Sequence, residues 1–157
     1  MKKIKILLGI TTLLILLYLL HFSSYFFLAD HYAEIARLAE NDIIFGSYNF
    51  VAGHIQSIFI FLGLVISFKC IYEIIKKGFF TKTSKKLMYF AGLIFFVLGI
   101  VNTSLDIIRL FNGINEEIFI GILFVDLLLA LLGFIILIIS DMSHIGFEIK
   151  SENELTI

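Results

Sequence analysis

The sequence predicts an all-α polytopic membrane protein: four transmembrane helices in a bundle, with both termini cytoplasmic. Three observations carry that expectation. The first is composition: 60% of the 157 residues are hydrophobic and 16% charged, with a mean hydropathy of +1.04. Soluble domains average about 45–50% apolar and about 25% charged, so a soluble globular chain is excluded. The second is the set of four uncharged stretches, residues 6–29, 43–68, 87–105 and 118–140, the last broken only by Asp126. Each reaches the roughly 20 residues that cross a bilayer as a helix. The third is the distribution of Lys and Arg, which fixes the orientation. Three lie before the first stretch and six between the second and third (Lys69, Lys76, Lys77, Lys82, Lys85, Lys86), against Arg37 and Arg109 in the other two connections. Positive residues stay inside, so residues 30–42 and 106–117 are expected outside.

Taken in order, the first stretch follows Lys2, Lys3 and Lys5. Its apolar run exceeds the about 7–15 residues of a signal-peptide core, and Phe27-Leu28-Ala29 is a poor cleavage site, so a retained helix is expected. Runs such as Leu13-Leu14-Ile15-Leu16-Leu17 are apolar on every side, unlike the alternation of a barrel strand. The second stretch ends in Lys76-Lys77-Gly78-Phe79-Phe80-Thr81. This reads as a helix end, a glycine stop, an aromatic pair and a Thr or Ser cap opening the third helix. The chain lacks proline, in keeping with four unbroken helices. One domain is expected over 1–157, with an acidic cytoplasmic tail at 141–157. The connections are too short for a catalytic domain, since domains need at least about 50 residues.

Chemistry is sparse. The single cysteine, Cys70, excludes an intramolecular disulfide and a thiol zinc site, and reads as a small packing residue. Gly-x-Ser-x-Gly, His-Glu-x-x-His and phosphate-binding glycine loops are all missing, so an enzyme is not expected. Neither a cofactor nor a metal is expected. Nucleic-acid binding is not expected either, because no reading module accompanies the lysines. The basic middle loop suits positive-inside topology, with anionic lipid as the more specific alternative.

Polar residues within the spans form the first group of candidates. A carboxylate at a helix centre costs about 2.5–3.5 kcal/mol on insertion scales, so Asp126 is expected to face inward. Its stripe, Asp126, Ala130, Gly133, Leu137 and Ser140, is mostly small, whereas Phe124, Leu128, Leu131, Ile135 and Ile138 opposite are bulky. Small residues allow close helix approach. The third stretch offers Gly92, Phe95, Gly99, Asn102 and Asp106, and the first offers Thr11, Tyr18, His21 and Tyr25. The second is ambiguous between the side of Gln56, Gly63, Ser67 and Cys70, which its small residues favour, and the side of His54 and Ser57. Asp126 is thus expected to bond Asn102, His21 or Gln56, with His54 next. Packing is the default reading of this cluster, with a proton relay or metal site as the alternative. Asp106 and Arg109, spaced i, i+3, read as a solvated helix end.

The second group is cytoplasmic. Lys76, Lys77, Phe79, Phe80, Lys82, Lys85 and Lys86 of the middle loop share a side with the tail residues Phe147, Glu148, Glu152, Glu154, Leu155 and Ile157. The tail is expected to dock there or to present a partner-binding segment, with Ile149 as a further apolar contact.

The exit Ile71-Tyr72-Glu73-Ile74-Ile75-Lys76-Lys77-Gly78-Phe79-Phe80, the start Ser84-Lys85-Lys86-Leu87 and the ending Gly146-Phe147-Glu148-Ile149-Lys150-Ser151-Glu152-Asn153-Glu154-Leu155-Thr156-Ile157 together resemble the YoaS-like family of small four-helix bacterial membrane proteins, a domain of unknown function. That family more usually has Asp where Glu154 stands, which leaves the charge unchanged. The resemblance implies a bacterial plasma-membrane location and a neighbouring gene for a small helix-turn-helix regulator, hence a possible cytoplasmic regulatory partner. It supplies no catalytic residues. A membrane anchor or relay is the expected function, with a small transporter using Asp126 as the alternative.

Overall fold

The computed structural model describes residues 2–27, 47–111 and 116–155. Four helices account for nearly all of them: α1 (Lys2–Phe27), α2 (Ser47–Lys77), α3 (Lys82–Phe111) and α4 (Glu116–Leu155). All four are long and apolar enough to cross a membrane, which fits a multi-pass membrane protein. Their outward surfaces agree, with Leu20, Leu13, Val125, Phe124 and Leu128 each at least half exposed. Soluble monomers rarely show contiguous apolar patches beyond a few hundred Å².

The helices pack in chain order, α1 on α2, α2 on α3 and α3 on α4. Among the described residues α1 touches neither α3 nor α4, and α2 does not touch α4. Among the described residues the four helices thus meet pairwise in sequence order, with α3–α4 as the most extensive interface. At that interface the backbones nearly meet. A Cβ at Gly99 would strike the backbone of Ala130, one at Gly133 that of Phe96, and one at Gly92 would lie 2.9 Å from the Gly133 carbonyl oxygen. Without a hydrophobic driving force between helices in lipid, such close approach is what holds them. The small stripe of α4 is buried at Asp126, Ala130, Gly133 and Ser140, and its bulky opposite stripe is exposed.

On the other flank of α3, the Phe95 ring lies over Gly63 of α2. α1 is held to α2 by the edge-on rings of Phe22 and Phe61, 5.5 Å apart. α4 is the longest helix at 40 residues, about 60 Å at 1.5 Å per residue. That is about twice the hydrocarbon thickness of a bilayer. It continues without a break through the segment expected as a tail.

Candidate functional site

The α2–α3 turn is built from four residues. Gly78 adopts φ +93°, a conformation glycine reaches without a Cβ penalty, and its N–H donates to the Ile74 carbonyl at 3.0 Å. This closes α2 in the left-handed cap common at helix ends. Thr81 opens α3: its Oγ1 accepts from the Ser84 N–H at 3.1 Å and donates to Ser84 Oγ at 2.8 Å, as an N-cap does. Ser84 Oγ in turn donates to the Gly78 carbonyl at 3.3 Å.

Two carbonyls, one in the turn and one in the first turn of α3, also accept a bond from α4. Ser143 Oγ donates to Phe79 O at 2.8 Å, and Ser140 Oγ donates to Lys85 O at 3.0 Å. Ser84, Ser140 and Ser143 are fully buried, so each hydroxyl needs such a partner. Gly146 lies under the Phe80 ring, which fills the space of a side chain there. Lys82 Nζ stands 5.6 Å from the Phe147 ring centroid, a cation–π contact worth about 0.5–1 kcal/mol when exposed. The result is a dock in which one face of α4 seals a lysine-rich turn.

Beyond Phe147 the helix leaves the turn behind. Glu148, Ile149, Lys150, Glu152 and Asn153 are exposed. Glu148 pairs with His144 at 3.4 Å, and Ile149, expected as an apolar contact, is 55% exposed. The side chains of Glu154 and Leu155, and all of Ile157, lie outside the described residues. Among the loop lysines, Lys77 pairs with Glu73 at 2.8 Å and Lys86 lies 6.0 Å from the Phe90 ring centroid, while Lys76 is exposed.

Within the spans, Asn102 Nδ2 donates to Asp126 Oδ1 at 3.1 Å, and Asp126 is buried. The other candidates of this group lie on α1 and α2. His21 sits on α1, exposed beside Tyr18 and Phe22, and α1 does not reach α4. Gln56 lies on α2, which also does not touch α4, and instead lines an apolar groove of about 540 Å³ with Asn102. His54 is half-buried on the same helix. A polar face marks a buried side but does not say which helix covers it. Among the described residues no three His, Cys, Asp or Glu are placed to hold a metal.

Asp106 requires a correction. Expected as a solvated end, it is 3% exposed, because it continues the Gly99–Asn102 face one turn on. The side chain of Arg109 lies outside the described residues. Cys70 is buried, with Sγ 3.7 Å from the Ser84 carbonyl. Sequence reasoning missed Ser143, Gly146 and His144; the stripe from Asp126 to Ser140, continued by the same alternating steps past the apolar run, reaches His144 and Phe147.

No curated protein and no solved structure matches the chain. A family model does match, over residues 24–157, which takes in the end of α1 and all of α2, α3 and α4. The chain belongs to the family described as Protein of unknown function (DUF2975).

Proposed function

We propose that this chain is a non-enzymatic, multi-pass protein of the bacterial plasma membrane, with both termini in the cytoplasm. It anchors or relays a signal to a cytoplasmic regulatory protein, of the helix-turn-helix type that the sequence resemblance suggests. The observation that supports this most is the end of α4, where the helix passes its dock on the turn and runs on for two more turns with Ile149 exposed between Glu148 and Glu152. Such a helix end presents Ile149 to a partner and is mechanically joined, through Ser143 and Phe147, to the membrane part. The test is crosslinking in the native cell, comparing the full chain with one lacking residues 148–157. Capture of one cytoplasmic regulator by the full chain and its loss from the truncated chain are expected. Capture unaffected by the truncation, or none by either chain, contradicts the proposal.

A carrier is the second reading, favoured by the buried Asp126 and its bond to Asn102. Intramembrane carboxylates often serve proton or ion pathways. Proton-coupled flux into liposomes, abolished by Asp126→Asn in a normally folded protein, would select it over the anchor.

A further inference from the structure

Beside the dock, Thr81, Lys82 and Lys85 face His144 and Phe147 across a cavity of about 250 Å³. This lies just under the about 300–1,000 Å³ typical of drug-sized ligands, a size for a phosphate with a few carbons attached. The cavity joins two elements: the lysines come from the first turn of α3, and His144 and Phe147, spaced i, i+3, from one face of α4. The charges are poorly balanced. Among the described residues neither Lys82 nor Lys85 has a carboxylate partner, in contrast to Lys77, which Glu73 neutralises. Glu148, next to Phe147 in the chain, pairs with His144 at 3.4 Å. The Thr81 hydroxyl is already committed to Ser84, so the available donors are the two ammonium groups, each with three N–H bonds. Phe147 supplies an apolar wall.

We propose that this cavity binds a phosphate-type oxyanion, supplied by the headgroup of an anionic phospholipid or by free phosphate. Two lysines that approach from one side of a small cavity suit a compact, multiply acceptor-bearing anion, for which lysine acts as a point charge. The phosphoryl oxygens sit between Lys82 and Lys85, and the carbons of a headgroup lie against Phe147. Bound there, the anion ties the first turn of α3 to α4 and reinforces the dock. The site needs no protein partner, so it stands apart from the anchoring role.

The test uses the purified full-length protein in a zwitterionic detergent, titrated calorimetrically with short-chain phosphatidylglycerol, with phosphatidylcholine of equal chain length and with inorganic phosphate. Saturable one-to-one binding of phosphatidylglycerol, and not of phosphatidylcholine, is expected. The paired substitutions Lys82→Gln and Lys85→Gln should weaken it about tenfold or more, since each lysine near an anionic surface contributes about 1 kcal/mol. Lys85→Arg with Lys82 intact should restore most of the affinity, and the equally charge-reducing pair Lys76→Gln and Lys77→Gln should leave it within about twofold. Circular dichroism of each variant checks that the helices remain. Inorganic phosphate binding as tightly as the lipid would support the site and assign it to free anion; phosphate at least tenfold weaker would support it and assign it to lipid. Equal binding of phosphatidylcholine, equal losses from both lysine pairs, or no saturable binding of any probe would overturn the proposal.

Discussion

A single methyl group tests the α3–α4 interface more sharply than any larger change. At Gly99 and Gly133 the added carbon meets backbone of the facing helix, which cannot rotate away. Gly99→Ala and Gly133→Ala are therefore expected to lower stability by about 1–3 kcal/mol, the range for overpacking. Gly9→Ala and Gly121→Ala, which have open space, should be neutral or gain up to about 1 kcal/mol from helix propensity. Reversible unfolding in micelles followed by circular dichroism reads all four. Asp126→Asn keeps a partner for Asn102 and should be nearly neutral by the same measurement. Asp126→Leu should cost only about 0.6 kcal/mol, the average for a hydrogen bond between membrane helices. Most of this was legible in the sequence, because small residues at three- and four-residue spacing mark a contact face whatever the neighbour. Asp106 was not, since its i, i+3 spacing to Arg109 suggested a surface pair while its i, i+4 spacing to Asn102 placed it on the buried face.

At the scale of the element, α4 is one rod that performs two tasks. Its first half packs on α3 through Gly133 and Ala130, and its second half seals the turn through Ser140, Ser143 and Gly146. Ser143→Ala removes one of two donors to the Phe79 carbonyl, which keeps the Thr81 N–H, at a cost of about 1 kcal/mol. Gly146→Leu displaces the Phe80 ring. Both substitutions are expected to speed hydrogen exchange at residues 78–85 and to leave the exchange of residues 92–102 unchanged. Faster exchange spread evenly over α3 would show instead that α4 packs as a single unit. Contact between Phe147 and the lysine-rich turn is expected from the sequence, because the tail and that loop read as lying on one side of the membrane. The exposure of Ile149 is not, because nothing in residue spacing tells where the turn ends and solvent begins.

At the scale of the whole molecule, the packing order limits what the chain can assemble. Among the described residues each helix touches only its sequence neighbours, so the polar groups of α1 and α4 sit on helices that do not meet. Periodicity reveals faces, and hydropathy reveals spans, but neither reveals that order. Orientation is the remaining element of the account, and the anchor depends on it, since the lysine-rich turn and the projecting end of α4 must face the same aqueous phase as the partner. The direct test is labelling of single cysteines by a membrane-impermeant maleimide in intact cells, on a Cys70→Ser background, at positions 36, 76 and 152. Position 36 is expected to label in intact cells, whereas positions 76 and 152 label only after lysis. Labelling of 76 or 152 in intact cells, with 36 protected until lysis, would contradict this orientation.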